Sequence, residues 1–216
     1  TYSIAPLVAT DAGDYTVEVS GICGTAVLSD PATLVLTEET LITVPPVVSQ
    51  TVCEGDLVTI NVTATGTNLT YQWFKGATAI AGATNPTLSI AGATTANAGI
   101  YTCVITNPCQ VVTTTTSEVI VNELPKIVTQ PVGITICEGA GINLSVGTTG
   151  TGLTYQWFLD GNPLAGATTA TYADATVTLA EAGSYTVTVS GSCNPAETSI
   201  AAVVVVNQAA AFTQQP

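Results

Sequence analysis

The chain has 216 residues, 46% hydrophobic and only 8% charged, with two lysines, no arginine and no histidine against 15 acids, for a net charge of −13. This length holds two sandwich-sized domains and part of a third, and the lack of histidine excludes Ser-His-Asp and Cys-His catalysis within it. No basic stripe exists to replace phosphate counterions, which argues against nucleic acid, and no apolar run reaches the 18 residues a membrane span needs, so no membrane insertion by this segment is expected.

The first stretch, residues 1–44, opens with Tyr2 and Ile4 and continues into DAGDYTVEVSGIC, Asp11 to Cys23. It matches only the later part of each downstream repeat, so it reads as the C-terminal half of a module. Pro45 and Pro46 mark a joint, since proline removes a ladder donor and stiffens a link. Residues 45–124 read as a whole module. In it Val58, Ile60 and Val62 alternate as one face of a half-buried strand, then come TYQWF with Trp73, Leu88 with Ile90, Gly99 to Thr106, and a Thr-rich closing strand from Val111 to Val121.

Pro125 marks the next joint, and residues 125–207 repeat the order with Ile142, Leu144 and Val146, then Trp157, then Tyr185, Val187 and Val189, then Ile200 to Val206. Tight hairpins are expected at Lys75–Gly76 and Asp160–Gly161. Asp174 falls where Ile4 and Ile90 suggest an inward apolar side chain, which implies a local shift or a lift toward solvent, because a buried unpaired carboxylate is costly. Residues 208–216 read as a linker and the start of a further module, FTQQP echoing VTQP at Val128 to Pro131.

The repeat is the strongest signal. CEGDLVTINVTATGTNLTYQWF from Cys53 and CEGAGINLSVGTTGTGLTYQWF from Cys137 stand 84 residues apart, an offset kept by Trp73 and Trp157, Tyr101 and Tyr185, and Cys109 and Cys193. Short alternating strands with turn residues between them and no helical period predict an all-β fold of tandem antiparallel β-sandwiches.

These landmarks resemble the bacterial immunoglobulin-like repeat domains of large secreted or cell-surface proteins, within the immunoglobulin superfamily. The resemblance implies that Trp73 and Trp157 fill sandwich centres. It also implies that Tyr15, Tyr101 and Tyr185 are tyrosine corners whose hydroxyls bond backbone at a sharp strand entrance. The superfamily's core bridge is missing, because Val62 stands opposite Cys103 in the expected places and Val187 fills the second place in the third module. Cys103 is therefore expected as an unpaired buried thiol. The equal 56-residue spacing makes Cys53–Cys109 and Cys137–Cys193 the expected bridges, with Cys23 unpaired in this segment. Zinc is disfavoured by the lack of histidine and of CxxC. Repeated bridges imply an extracellular or cell-surface setting.

Catalytic and cofactor-binding residues are not expected. Calcium would be the ion that suits the acidic balance, although no DxDxDG loop is present. Asn61, Asn68 and Asn143 begin N-x-Ser/Thr sequences. The expected role is a structural or adhesive repeat segment of an extracellular surface protein, stalk or filament, with neighbouring immunoglobulin-like modules of the same chain as partners. Self-assembly by strand complementation would complete the half-module from a neighbouring copy. The alternative is a glycan- or protein-binding recognition module, for which Tyr172 and Phe212 are the candidate aromatics.

Overall fold

The structure is a computed structural model that describes residues 1–208, so the expected module start at Phe212 lies outside the described residues. It is all-β, with 3-10 turns of three residues as its only helices among them. Two compact units are present: Thr1–Pro46 with Asn61–Leu88 and Tyr101–Thr116, and Val47–Ile60 with Ser89–Ile100 and the described part of Ser117–Pro216.

The second unit contains the third module whole. One sheet runs in the order Ile134–Cys137, Ala202–Asn207, Gly183–Ser190, Thr154–Leu159 and Asn162–Pro163, with Glu197–Thr198 also paired to Gly183–Ser190. Two antiparallel pairs, Ile142–Ser145 with Thr171–Asp174 and Lys126–Thr129 with Gly147–Thr149, complete the sandwich. Its core gathers Ile142, Leu144, Val146, Trp157, Tyr185, Val187, Val189, Ala202 and Val204. The period-2 alternation of these strands dictates which face points inward. Trp157 is fully buried, and its indole N–H donates to the Thr169 carbonyl at 2.9 Å. Truncating such a ring costs roughly 3–5 kcal/mol.

The Asp160–Gly161 hairpin forms with both residues at positive φ, 48° and 81°, the two-residue turn whose twist suits antiparallel strands. Asp174 stays in register opposite Ile142, half-buried, and its carboxylate accepts the Thr176 N–H at 3.0 Å. The acid thus closes the turn at the end of its strand.

In the first unit, Thr70–Lys75 pairs with Thr78–Ala79 on one side and with residues 101–106 on the other, and Trp73 and Cys103 stand in direct register. The Trp73 indole N–H donates to the Asn85 carbonyl at 2.9 Å, 84 residues before the Trp157 bond. Gly13–Tyr15 pairs with Ala32–Leu34, and Glu18–Val19 with Val27–Leu28.

Two features depart from the strands expected in the sequence. The closing strands are interrupted: Val111–Thr113 gives way to Ser117–Asn122, and Glu197–Thr198 to Ala202–Asn207. At each break a buried hydroxyl replaces a ladder partner. Thr114 exchanges two bonds of 2.9 Å with the Cys103 backbone, and Ser199 exchanges bonds of 3.0 and 2.9 Å with that of Val187. The other is a parallel pairing ahead of each main sandwich strand, Ser49–Cys53 with Ser117–Asn122 and Ile134–Cys137 with Ala202–Asn207.

Candidate functional site

The candidate site is the joint between successive modules. Ser49–Cys53 ends with Cys53 in register with Asn122, and the next residue, Glu54, donates its backbone N–H to the Asn122 carbonyl at 2.8 Å. The chain then turns through Glu123, whose N–H donates to the Thr151 hydroxyl at 3.0 Å while the Thr151 N–H donates to the Glu123 carbonyl at 3.2 Å. Ser192 donates its N–H to the Thr151 carbonyl at 2.8 Å, which brings Cys193 to the same place. Gly150, at φ 137°, permits this approach: a Cβ there would meet the Leu124 carbonyl oxygen and Pro125 Cα, each at 2.9 Å.

At this joint Cys53 and Cys193 form a disulfide, with Cα atoms 5.8 Å apart across 140 residues of sequence. This corrects the expected bridges Cys53–Cys109 and Cys137–Cys193, since Cys109 and Cys137 are exposed free thiols. The reason is strand direction. Cys137 is in register with Asn207 beyond the start of the Tyr185 strand, since Val204 pairs with Gly183. Cys193 lies past the other end of that strand. Gly183–Ser190 has 8 residues, roughly 25 Å at about 3.3 Å per residue, and cysteines with Cα atoms more than about 7 Å apart cannot be bridged. The two cysteines of one module therefore sit at opposite ends of it. In the second module, Cys53 is taken by Cys193, and Cys109 is left as a free thiol.

The preceding joint is built in the same way. Glu38 donates its N–H to the Thr67 hydroxyl at 3.0 Å and accepts from the Thr67 N–H at 3.5 Å, and Gly66 adopts φ 144° against Glu39 and Thr40. Here the buried Asn107 side chain is added, donating to the Glu38 carbonyl at 2.8 Å and accepting the Cys109 N–H at 2.9 Å. Thr-Gly-Thr-x-Leu, at Thr65 to Leu69 and again at Thr149 to Leu153, was the sequence signal for this clamp.

Tyr185 is fully buried and its hydroxyl donates to the Glu181 carbonyl at 2.9 Å; Tyr15, half-buried, donates to the Asp11 carbonyl at 2.7 Å. Burial pushes the Tyr185 hydroxyl up to about 12, helped by neighbouring Tyr172 and Glu181. Tyr101 is buried too. Cys103 is buried and unbridged, its thiol pushed up by burial to about 11. Cys23 is exposed. Tyr172 packs against Trp157 and Tyr185 at ring distances of 6.2 and 5.4 Å, so its ring is spent on the core and not offered to a ligand. Among the described residues no cluster of three or more His, Cys, Asp or Glu is set to hold a metal ion.

Residues 41–107 match the immunoglobulin domain family. Over 93% of the chain the structure is similar to a three-immunoglobulin-domain I-band fragment of titin, with TM-score 0.77 and 18% identity, covering 76% of that fragment. The fold is immunoglobulin-like. The first four immunoglobulin domains of Sidekick-1 show the likeness at TM-score 0.61 and 17% identity, over 93% of this chain and 60% of that one. In sequence, 72 residues, 32% of the chain, are 46% identical to a decoration protein of Escherichia phage T5. That match spans 44% of the phage protein's length. The immunoglobulin-like sandwiches are thus arranged in tandem, and the covalent link between copies of the repeat is the feature of this chain that the fold alone does not require.

Proposed function

We propose that this chain is a structural or adhesive repeat segment of an extracellular, bacterial-type surface protein, a stalk or filament of immunoglobulin-like modules with boundaries near 45, 125 and 207. The Cys53–Cys193 bridge carries this reading. It ties the last residue of one module's parallel strand to the turn of the next module, so tension along the chain passes through sulfur and bypasses the 140 residues between. A disulfide in this position suits an oxidising, exterior setting. With only two lysines and no arginine, the chain also offers few trypsin-type cleavage points. The phage relative is named a decoration protein, which is in keeping with a structural role.

Gold-labelled antibody against the chain, applied to intact source cells or particles, tests the proposal. Labelling of unpermeabilised surfaces in linear projections is the expected result; labelling only after permeabilisation would reject it.

A further inference from the structure

Two unbridged cysteines reproduce the surroundings of the bridged ones. Cys137 is the counterpart of Cys53. Each ends a strand paired in parallel with its module's last strand, Cys53 beside Asn122 and Cys137 beside Asn207. Each leads into the same turn: Glu54 donates to Asn122 at 2.8 Å and Glu138 to Asn207 at 2.9 Å, while Gly55 donates to Ala93 and Gly139 to Val177, both at 2.8 Å. Cys109 is the counterpart of Cys193. Each comes eight residues after its module's corner tyrosine, beside the same Thr–Glu clamp, Thr67 with Glu38 and Thr151 with Glu123. Both free thiols are exposed.

We propose that Cys137 and Cys109 are open halves of the bridge seen at Cys53–Cys193, each specific for a further copy of this repeat. Cys137 takes the cysteine after the tyrosine strand of the next copy along the chain, and Cys109 takes the strand-end cysteine of the copy that precedes it. The bridge is staggered: every module is bonded through one cysteine to each neighbour and never to itself. This rests on the reading of the chain as a repeat array and adds its covalent rule. The chemistry is thiol–disulfide exchange with a small disulfide such as oxidised glutathione. One thiolate displaces glutathione thiolate to give a mixed disulfide, and the second thiolate displaces the other. Two protein thiols thus give up two electrons and two protons as one disulfide becomes two small thiols.

The test uses the full chain through Asn207 with a second Glu123–Asn207 segment fused directly after it, which recreates the Asn-Glu-Leu-Pro joint; the added copy carries Val132→Ile and Ala196→Val at exposed positions, so that its cysteine peptides differ in mass from those of the chain's own third module. After refolding in a glutathione buffer, peptide mapping without reduction should place Cys137 in a bond with the added copy's equivalent of Cys193. That peptide should exceed any Cys137–Cys193 peptide at least tenfold. An alkylatable Cys137 beside an added copy whose tryptophan is buried by fluorescence would overturn the proposal.

A second variant keeps the test open if the fusion misfolds. In the unextended chain, Cys53→Ser frees Cys193 while Cys137 stays in the same module. Both should then be alkylated; a Cys137–Cys193 bond would overturn the stagger. Either result leaves the surface-labelling test of the function untouched, so the two failures are distinguishable.

Discussion

Cys53 and Cys193 lie 140 residues apart in sequence and 5.8 Å apart between Cα atoms, and each belongs to a different copy of the repeat. The bond therefore spans a joint instead of closing a sandwich. Loop-closure entropy for a loop of this length is worth roughly 5 kcal/mol in the chain-entropy account, less any native strain. Cys53→Ser should lower the urea midpoint of the third module, monitored by Trp157 fluorescence. An unchanged midpoint would mean that the bridge does not stabilise that module.

Tension offers an independent reading of the same bond. Pulled between its ends, the oxidised chain should extend less than the reduced chain by the length the bridge hides. For 140 residues that is about 480 Å at roughly 3.4 Å per residue. Single-molecule force spectroscopy with and without reductant measures the difference, and equal contour lengths would contradict it.

The tyrosine corner has a measurable worth. Tyr185→Phe removes the bond from the hydroxyl to the Glu181 carbonyl while leaving the buried ring in place. The expected loss is about 1 kcal/mol, the usual net value of such a bond, seen as a lower denaturation midpoint. Tyr15→Phe should cost less, because its ring is only half-buried.

Much of this fold was legible in the sequence for a physical reason. Alternating apolar residues such as Val58, Ile60 and Val62 admit only one inward face, and a ring as large as Trp157 has only the sandwich centre to fill. The bridge was not legible from spacing alone. A 56-residue interval between Cys53 and Cys109 recurs between Cys137 and Cys193 whether bonds form within modules or between them. What separates the two is which end of the tyrosine strand each cysteine reaches, and that requires the parallel pairing of Ile134–Cys137 with Ala202–Asn207. Asp174 looked misplaced only because its turn bond to Thr176 has no sequence pattern of its own.

The joint clamp should be sensitive to a single methyl group. Gly150→Ala adds a Cβ 2.8 Å from Leu153 Cδ2 and 2.9 Å from the Leu124 carbonyl oxygen, at a φ of 137° that side chains disfavour. A cost of about 1–3 kcal/mol is expected. Gly139→Ala, whose added Cβ would meet nothing within 4 Å, should cost less at its φ of 84°. Thermal denaturation of the two variants side by side checks the order.

Alkaline pH should weaken the fold in a defined window. Burial raises the Cys103 thiol to about 11, and burial with Tyr172 and Glu181 nearby raises the Tyr185 hydroxyl to about 12. The unfolded chain releases these protons earlier, from about 8.5 for a thiol and about 10 for a phenol. The folded state then holds more protons, so stability present below about pH 8.5 falls as pH rises toward the folded values. Cys103→Val, which copies Val187 at the equivalent place, should flatten the part of the loss between about pH 8.5 and 11. Urea midpoints measured from neutral to alkaline pH give the comparison.

Mapping the disulfides of the unreduced, alkylated chain tests the staggered joint most directly. A single bonded peptide pair joining Cys53 to Cys193, with Cys109 and Cys137 alkylated, is the expected result. Cys53 joined to Cys109, or Cys137 joined to Cys193, would place the bonds inside the sandwiches and contradict it.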